Sequence, residues 1–306
     1  LWYLFFSEMW ERFSFYGMRG MLVIFMVSQL AMNDKVANLQ YGATQAFVYA
    51  FTFIGGLFAD KILGYRKSLF WGGLLMIAGS IILAINPQQF FFFGISFTII
   101  GTGFFKPNIS TIVGKLYKDD DHRRDAGFSL FYAGVNLGAL IGGYICIAVA
   151  NGSLWASLVP AHLRWNVAFG FAAVVMIVSL LTFTQTQKSL GDIGLSPLKD
   201  APSTKRKRLE IVTYIGSLLI IPVIMTMVSN TDYTDIFMFI IGPASLLYLF
   251  YEMRSFSKEE NKKLLAALVF IIFSIFFWAF FEQSGGSLNL FAASKSSLIL
   301  FSLLSR

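Results

Sequence analysis

The stretch of sequence that decides the fold of this chain reads Glu8-Met9-Trp10-Glu11-Arg12-Phe13-Ser14-Phe15-Tyr16-Gly17-Met18-Arg19. It lies within the run 1–30, which is otherwise apolar and aromatic. At a helical spacing, Glu8, Arg12 and Arg19 share one stripe, and Glu11 lies at its edge. A charge in the middle of a bilayer is costly, so this stripe is expected to face a polar cavity or paired charges. The alternatives are an inert ion pair or charges that snorkel to the interface, although four ionisable groups over three turns exceed what snorkelling explains.

The composition of the whole chain is typical of a polytopic helical membrane protein. Its 306 residues are 56% hydrophobic and 13% charged, and the mean hydropathy is +0.67. Several runs reach the roughly 20 apolar residues that a transmembrane helix requires. We therefore predict an all-α polytopic protein within a lipid bilayer, with spans at about 1–30, 41–59, 68–86, 89–117, 126–150, 165–184, 209–228, 236–254 and 264–287.

The basic residues indicate topology. A net charge of +7 is also seen in nucleic-acid-binding proteins, but here the cations lie between predicted spans, so no nucleic-acid partner is expected. Alternate loops hold seventeen Lys and Arg residues, whereas the remaining loops hold two, Lys35 and Arg164. This positive-inside bias predicts a cytoplasmic N-terminus. The seventeen are Lys61, Arg66, Lys67, Lys115, Lys118, Arg123, Arg124, Lys188, Lys199, Lys205, Arg206, Lys207, Arg208, Arg254, Lys258, Lys262 and Lys263.

The sequence shows no pattern typical of an enzyme, a metal site or a cleavable signal. A P-loop, zinc-ligand spacing and a nucleophile elbow are all absent from it. The single cysteine, Cys146, excludes a disulfide within the chain and a cysteine metal site. The charges within 1–30 interrupt any signal-peptide core. We therefore expect no catalysis, no cofactor and no metal.

Two further charges lie inside predicted spans. Lys106 precedes Pro107, which is expected to kink the fourth span. At that depth the lysine requires a carboxylate partner, for which Glu11 or Glu8 is the obvious candidate. Glu282 precedes the stretch Ser284-Gly285-Gly286, so it belongs either to a helix end near the outer surface or to a gate or proton site.

The fifth span contains a repeated G-x-x-x-G pattern at Gly134, Gly138 and Gly142. Small residues at this spacing let two helix backbones approach closely, so this face is expected to pack against a neighbouring helix. Tyr132 and Asn136 lie on the opposite side, where they can face a cavity. For Asn136, a simple interhelical hydrogen bond is an equal alternative.

Four motifs in order resemble signatures of the proton-dependent oligopeptide transporter (POT/PTR) family of the major facilitator superfamily. The loop 56–67 is also similar to the superfamily signature between spans two and three. The chain departs from the family pattern at Phe15, where the family usually has a tyrosine. The four motifs are Glu8-x-x-Glu11-Arg12-Phe13-x-Phe15-Tyr16-Gly17, Gly101-x-Gly103-Phe104-x-Lys106-Pro107-Asn108, Phe131-Tyr132-x-x-x-Asn136-x-Gly138 and Phe277-Trp278-x-x-x-Glu282-Gln283.

The resemblance implies a major-facilitator fold in a bacterial inner membrane. Complete members contain further core spans, so this chain is expected to be truncated after the seventh core helix, with Ala292 to Arg306 as an unrelated apolar tail. The expected domains are a six-helix N-terminal bundle at 1–184, a cytoplasmic linker at 185–208, an inserted helical hairpin of the bacterial type at 209–258, and the seventh core helix with an incomplete C-terminal bundle at 259–306.

The implied function is proton-coupled symport of di- and tripeptides by alternating access, driven by the inward proton gradient. Protons are the coupling ion. Within this resemblance, Arg12 and Lys106 bind the peptide carboxylate, Glu11 pairs with Lys106, and Arg19 forms a protonation-sensitive salt bridge with Glu282. The alternatives are a relative that moves another small anion or a peptide-like drug, and a fragment that inserts without transporting. The implied peptide-binding residues are Arg12, Tyr16, Tyr49, Lys106 and Asn136, and those for proton coupling and gating are Glu8, Glu11, Arg19 and Glu282.

Overall fold

The structure, a computed structural model, describes residues 1–118 and 120–304, and its regular elements are helices. Residues 305 and 306, at the end of the predicted tail, lie outside the described part. The α-helices are α1 Trp2–Ser28, α2 Asp34–Phe58, α3 Tyr65–Ile85, α4 Pro87–Gly114, α5 Arg123–Asn151, α6 Arg164–Thr186, α7 Ser203–Leu219, α8 Ile221–Ser229, α9 Thr231–Glu252, α10 Lys258–Phe281 and α11 Ser287–Leu304.

Eight segments of the described chain are long and apolar enough to cross a membrane by length and composition. Each corresponds to a predicted span, and α7 and α8 together form one of them, interrupted near Pro222. The helix α1 has 27 residues, but its four charges keep it outside this criterion. Its length matches the remaining predicted span, so the order of nine spans agrees with the sequence prediction. The expected kink at Pro107 is not seen in the backbone angles of α4, whose non-helical residue is Phe90.

The helices α1 to α6 form one bundle around an apolar and aromatic core. α1 packs mainly against α5 and α6, α3 packs against α4 and α6, and α2 packs against α4. The glycine face of α5 lies on α1, as predicted, because Cβ atoms at Gly138 and Gly142 would overlap the backbone carbonyls of Met9 and Phe13. This close approach fixes the position of the charged stripe of α1 within the bundle.

The predicted linker 185–208 is shorter and more ordered than expected. α6 extends to Thr186 and α7 begins at Ser203, so the basic cluster 205–208 lies in the first turns of α7. The intervening chain is bound to the start of α3. The Arg66 side chain donates hydrogen bonds to the carbonyl oxygens of Ile193 at 2.6 Å and Gly191 at 2.5 Å.

The loop between α2 and α3 requires a glycine at the point where this linker contacts it. Gly64 has φ 76° and ψ 160°, a conformation that is essentially restricted to glycine. A Cβ atom at this position would also lie 2.5 Å from the carbonyl carbon of Leu195. The linker therefore follows a fixed path across the end of the bundle.

The predicted hairpin, α7 to α9, is attached to the bundle mainly through its first half. The indole Nε1 of Trp71 donates a 2.9 Å hydrogen bond to Ser217 Oγ, and the Trp71 ring lies 4.7 Å from that of Tyr214. α8 packs against α4, and Gln40 donates a hydrogen bond to the Ser229 carbonyl oxygen. Within α9, by contrast, Thr234 is the one buried residue.

The last part of the described chain is a helix, a short break and a second helix. Ser257 and Glu260 form a capping box at the start of α10. A 3-10 turn over Glu282–Gly285 then separates α10 from α11, so the predicted span 264–287 ends earlier than expected. Asn289 of α11 donates a 2.9 Å hydrogen bond to the carbonyl oxygen of Gly20, which places this helix against α1.

Candidate functional site

Three charged side chains form a buried cluster on α1. Arg12 Nε lies 3.1 Å from Glu8 Oε1, Arg12 Nη2 donates a 2.6 Å hydrogen bond to Glu11 Oε1, and Arg12 Nε also bonds Glu11 Oε2. Glu11 is 0% exposed, Arg12 is 2% exposed and Glu8 is 4% exposed. Two acids therefore share one guanidinium group, and Glu8 Oε2 has no hydrogen-bond partner among the described residues.

Lys106 does not form the expected ion pair with Glu11 in this structure. Glu11 bonds Arg12 instead, because the guanidinium group of the adjacent residue reaches both of its oxygens. The Lys106 ammonium group lies 5.0 Å from the centre of the Tyr49 ring, over its face. The charges of Glu8, Glu11 and Arg12 still act on Lys106 across the space between α1 and α4. Lys106 is thus a cation near the cluster with no ion-pair partner in the described part of the chain.

A second cluster joins α1 and α2 to the end of α10. Arg19 Nη2 lies 2.8 Å from Glu282 Oε2, so the two residues that the resemblance pairs do form an ion pair. The Tyr41 hydroxyl accepts a 2.8 Å hydrogen bond from Arg19 Nε and donates one of 3.1 Å to Glu282 Oε2. Tyr49 donates to the other carboxylate oxygen at 3.3 Å. Arg19 also lies 5.6 Å from the ring of Tyr16, which places this predicted binding residue between the two clusters.

A cavity of about 720 Å³ lies beside the second cluster, between α2, α9 and α10. Its lining includes Tyr41, Gln45, Tyr49, Trp278 and Glu282. A larger, more open depression of about 900 Å³, lined by Tyr65, Lys115 and Arg124 among others, contains none of the predicted site residues.

The structure does not bring Asn136 into either cluster. It is exposed on α5, and Tyr132 on the same side of that helix is 55% exposed. The residue that the sequence analysis missed is Tyr41. A polar stripe on α2 could have identified Tyr41 from the sequence. This stripe consists of Tyr41, Gln45 and Tyr49, which are spaced four residues apart.

The comparison with protein families decides the identity of the chain. The family model PTR2, described as POT family, matches residues 66–303. The chain belongs to the POT family. This match includes most of Ala292 to Arg306, so the prediction that this segment is an unrelated tail is wrong. The POT family is a family of transporters, and the chain is a multi-pass membrane protein.

Curated relatives and a solved structure agree with the POT-family assignment. The chain is 32% identical to the peptide transporter YePEPT of Yersinia enterocolitica, over 94% of this chain and 59% of that protein. It is 31% identical to a di-/tripeptide transporter of Lactococcus lactis, over 96% of this chain and 61% of the relative. A mutant of the peptide transporter POT in complex with alafosfalin matches with a TM-score of 0.76 and 33% identity, over 94% of this chain and 59% of that one. The chain thus spans about 60% of the length of these relatives.

Proposed function

We propose that the protein containing this chain is a proton-coupled symporter for di- and tripeptides that works by alternating access. The observation that carries the proposal is the meeting of buried and half-buried acids and bases from three parts of the chain. Glu8, Glu11 and Arg12 lie on α1, Lys106 lies on α4, and Glu282 at the end of α10 bonds Arg19. Buried ionisable groups in a membrane protein mark substrate or ion pathways. The matched relatives that are named peptide transporters support the choice of substrate.

The termini of a peptide are the features that all peptides share, so they are the natural recognition elements. Arg12 and Lys106 would bind the peptide carboxylate, and Lys106 has no described ion-pair partner with which the peptide would compete. Tyr16, Tyr49 and Asn136 would line the binding pocket, with Asn136 contributing from the exposed side of α5. The side chains of the peptide would then be left to the 720 Å³ cavity beside the second cluster, whose lining includes Tyr49 and Trp278.

Proton coupling would follow from the two clusters. Glu282 accepts hydrogen bonds from Arg19, Tyr41 and Tyr49 while it is ionised. A proton on Glu282 removes the charge that attracts Arg19, and this ion pair is a link between α1 and the end of α10. Its loss would let the two elements separate. Glu8 and Glu11 would adjust the charge around Arg12 when the peptide carboxylate arrives, because both acids contact that guanidinium group.

The topology that we propose has a cytoplasmic N-terminus in a bacterial inner membrane. The contacts of Arg66 with Gly191 and Ile193 place two loops rich in basic residues at the same end of the bundle. The relatives compared above are bacterial proteins. Positively charged loops remain on the cytoplasmic side during insertion, which supports this orientation.

The test uses the full-length protein that contains this chain, reconstituted in liposomes with an acidic exterior. The wild type should accumulate a labelled dipeptide, and mixed di- and tripeptides should compete. Glu282→Gln should abolish proton-driven accumulation while exchange of internal and external peptide continues. The matched control is Glu210→Gln, which removes an acid of α7 that is paired with Lys67 of α3. This variant should retain accumulation. Proton-driven accumulation in the Glu282→Gln protein would contradict the role of this acid.

The same assay separates the alternatives. Competition by small anions or peptide-like drugs, but not by dipeptides, would assign the protein to another substrate class. Reconstitution of the 306-residue chain alone tests whether this chain transports peptides without further protein segments.

A further inference from the structure

We propose that Tyr41 is a positioning residue for proton coupling, whose hydroxyl group holds Arg19 and Glu282 together while Glu282 is ionised. This inference rests on the proposed function and assigns a part of its mechanism to a residue outside the predicted site. Tyr41 is 4% exposed and lies on α2, whereas its two partners lie on α1 and after α10. One hydroxyl group therefore connects three separate elements at the point where the ion pair forms.

The Tyr41 hydroxyl group accepts one hydrogen bond and donates another, and the bond that it donates requires the ionised carboxylate of Glu282 as acceptor. The hydroxyl oxygen accepts from Arg19 Nε at 2.8 Å, so its hydrogen is available to the carboxylate, 3.1 Å away. Arg19 Nη2 donates to the same carboxylate oxygen at 2.8 Å. The three groups form a closed triangle in which the guanidinium group presents two different nitrogens. Such a triangle orients Arg19, which a single ion pair between two flexible side chains does not.

The hydroxyl group lies in a space that exists because residue 285 is a glycine. A Cβ atom at Gly285 would overlap the Tyr41 hydroxyl, and one at Gly286 would lie 3.4 Å from Tyr41 Cδ1. These two glycines form the break between α10 and α11. The triangle thus lies at the break between α10 and α11. A change in the Tyr41 contacts is therefore expected to alter the conformation of that break.

Other charged and titratable groups face the triangle and share its electrostatics. Tyr16 lies beside Arg19 on α1, Tyr49 of α2 donates to Glu282 Oε1, and Lys106 of α4 interacts with Glu282 through space. None of these three groups bonds both members of the ion pair among the described residues. Removing the Tyr41 hydroxyl should therefore alter the response to pH, while the other contacts preserve the fold.

Tyr41→Phe is the direct test in the full-length protein, because it removes the hydroxyl and keeps the ring. Loss of the Arg19 contact affects both forms of Glu282, but loss of the donor to the carboxylate penalises the ionised form alone. The pH of half-maximal proton-driven uptake should therefore rise by about one unit. Tyr65→Phe is the matched control, since the Tyr65 hydroxyl donates to the carboxylate of Asp60 at 2.8 Å, far from Glu282. Its pH profile should match that of the wild type.

Gly285→Ala is an independent test that leaves Tyr41 intact. The added methyl group should displace the hydroxyl and move the pH profile in the same direction as Tyr41→Phe. Its control is Gly242→Ala, because an added Cβ atom at this position would have no neighbour within 4 Å. The pH profile of this variant should match that of the wild type. A Tyr41→Phe profile that matches the wild type, or a loss of peptide exchange together with uptake, would overturn the proposal.

A readout without transport separates this inference from the proposed function. If the wild type shows no proton-driven uptake, the proposed function fails, and thermal unfolding of the purified protein still tests Tyr41. A donor to an ionised carboxylate stabilises the fold above the pH at which that carboxylate is protonated, and this contribution disappears as the pH falls. Tyr41→Phe should thus lower the unfolding temperature at high pH, and the difference should close at low pH. A difference that is independent of pH would overturn the inference.

Discussion

At the scale of single residues, Arg12 is the centre of the buried charges on α1. Its guanidinium group contacts Glu8 and Glu11 and lies 5.1 Å from the centre of the Phe15 ring. The planar fork of arginine can bond two carboxylates at once and remains charged when it is buried. A lysine provides a single charged group on a flexible chain and cannot reproduce both contacts.

Arg12→Lys is therefore expected to reduce peptide uptake by the full-length protein about tenfold, since at least one charge-assisted hydrogen bond is lost. The measurement is initial uptake into liposomes, with size-exclusion chromatography to confirm that the variant is folded. Arg123→Lys is the control, because the Arg123 side chain is 83% exposed in its pair with Asp121. Uptake at the wild-type rate in the Arg12→Lys protein would show that the fork geometry is not required.

The sequence predicts which single residues matter better than it predicts their partners. Charges such as Arg12, Lys106 and Glu282 are conspicuous in apolar spans because burying them is costly. Their pairing depends on how helices are rotated and spaced, so the predicted contact between Glu11 and Lys106 was wrong in this structure. Tyr41 was missed because a tyrosine in an apolar span has no such cost attached to it.

At the scale of helices, the glycine face of α5 determines how closely α1 can approach. Gly142 lies against the carbonyl oxygen of Phe13, whereas the next residue, Gly143, has no neighbouring atom within 4 Å. Two adjacent glycines on one helix thus differ completely in their surroundings. The charged stripe of α1 depends on the first of them for its position relative to the other helices.

Gly142→Ala should destabilise the protein by about 1–3 kcal/mol, because the methyl group overpacks the contact between α1 and α5. Gly143→Ala should instead raise the thermal unfolding temperature slightly, since its methyl group enters open space and alanine favours the helix. Both variants are measured by thermal unfolding in detergent. Equal unfolding temperatures for the two variants would contradict the packing described here.

The existence of the helices can be predicted from the sequence, but the positions of several helix ends cannot. Long apolar runs predict spans because the bilayer requires about 20 such residues. The basic cluster 205–208 was predicted as part of a polar linker, but it lies in the first turns of α7. The predicted span 264–287 also extends beyond Phe281, where α10 ends, although a helix end near Glu282 was one of the two sequence interpretations.

At the scale of the whole molecule, the predicted hairpin α7 to α9 is attached to the side of the six-helix bundle. Trp71 of α3 bonds Ser217 and stacks on Tyr214, and Lys67 lies 2.7 Å from Glu210. These contacts all involve α7, so α7 is expected to move together with α3. The sequence predicts the nine-span order through its charge bias, but it contains no signal for this lateral attachment.

Trp71→Ala should loosen α7 and destabilise the protein by about 1–3 kcal/mol, because a half-buried ring and its hydrogen bond to Ser217 are lost. Trypsin should then cleave faster at the basic cluster 205–208. Phe239→Ala is the control, because Phe239 is 79% exposed on α9. Cleavage and unfolding temperature equal to those of the wild type would show that Trp71 does not attach the hairpin.

The anchoring of the linker by Arg66 has a consequence for how this region changes during evolution. The acceptors at Gly191 and Ile193 are main-chain oxygens, which every amino acid supplies. The side chain of Ile193 can therefore vary without loss of its bond to Arg66, whereas Gly191 is restricted by its φ of 53°. The path of this segment is thus specified largely by Arg66 and Gly64, two residues outside it.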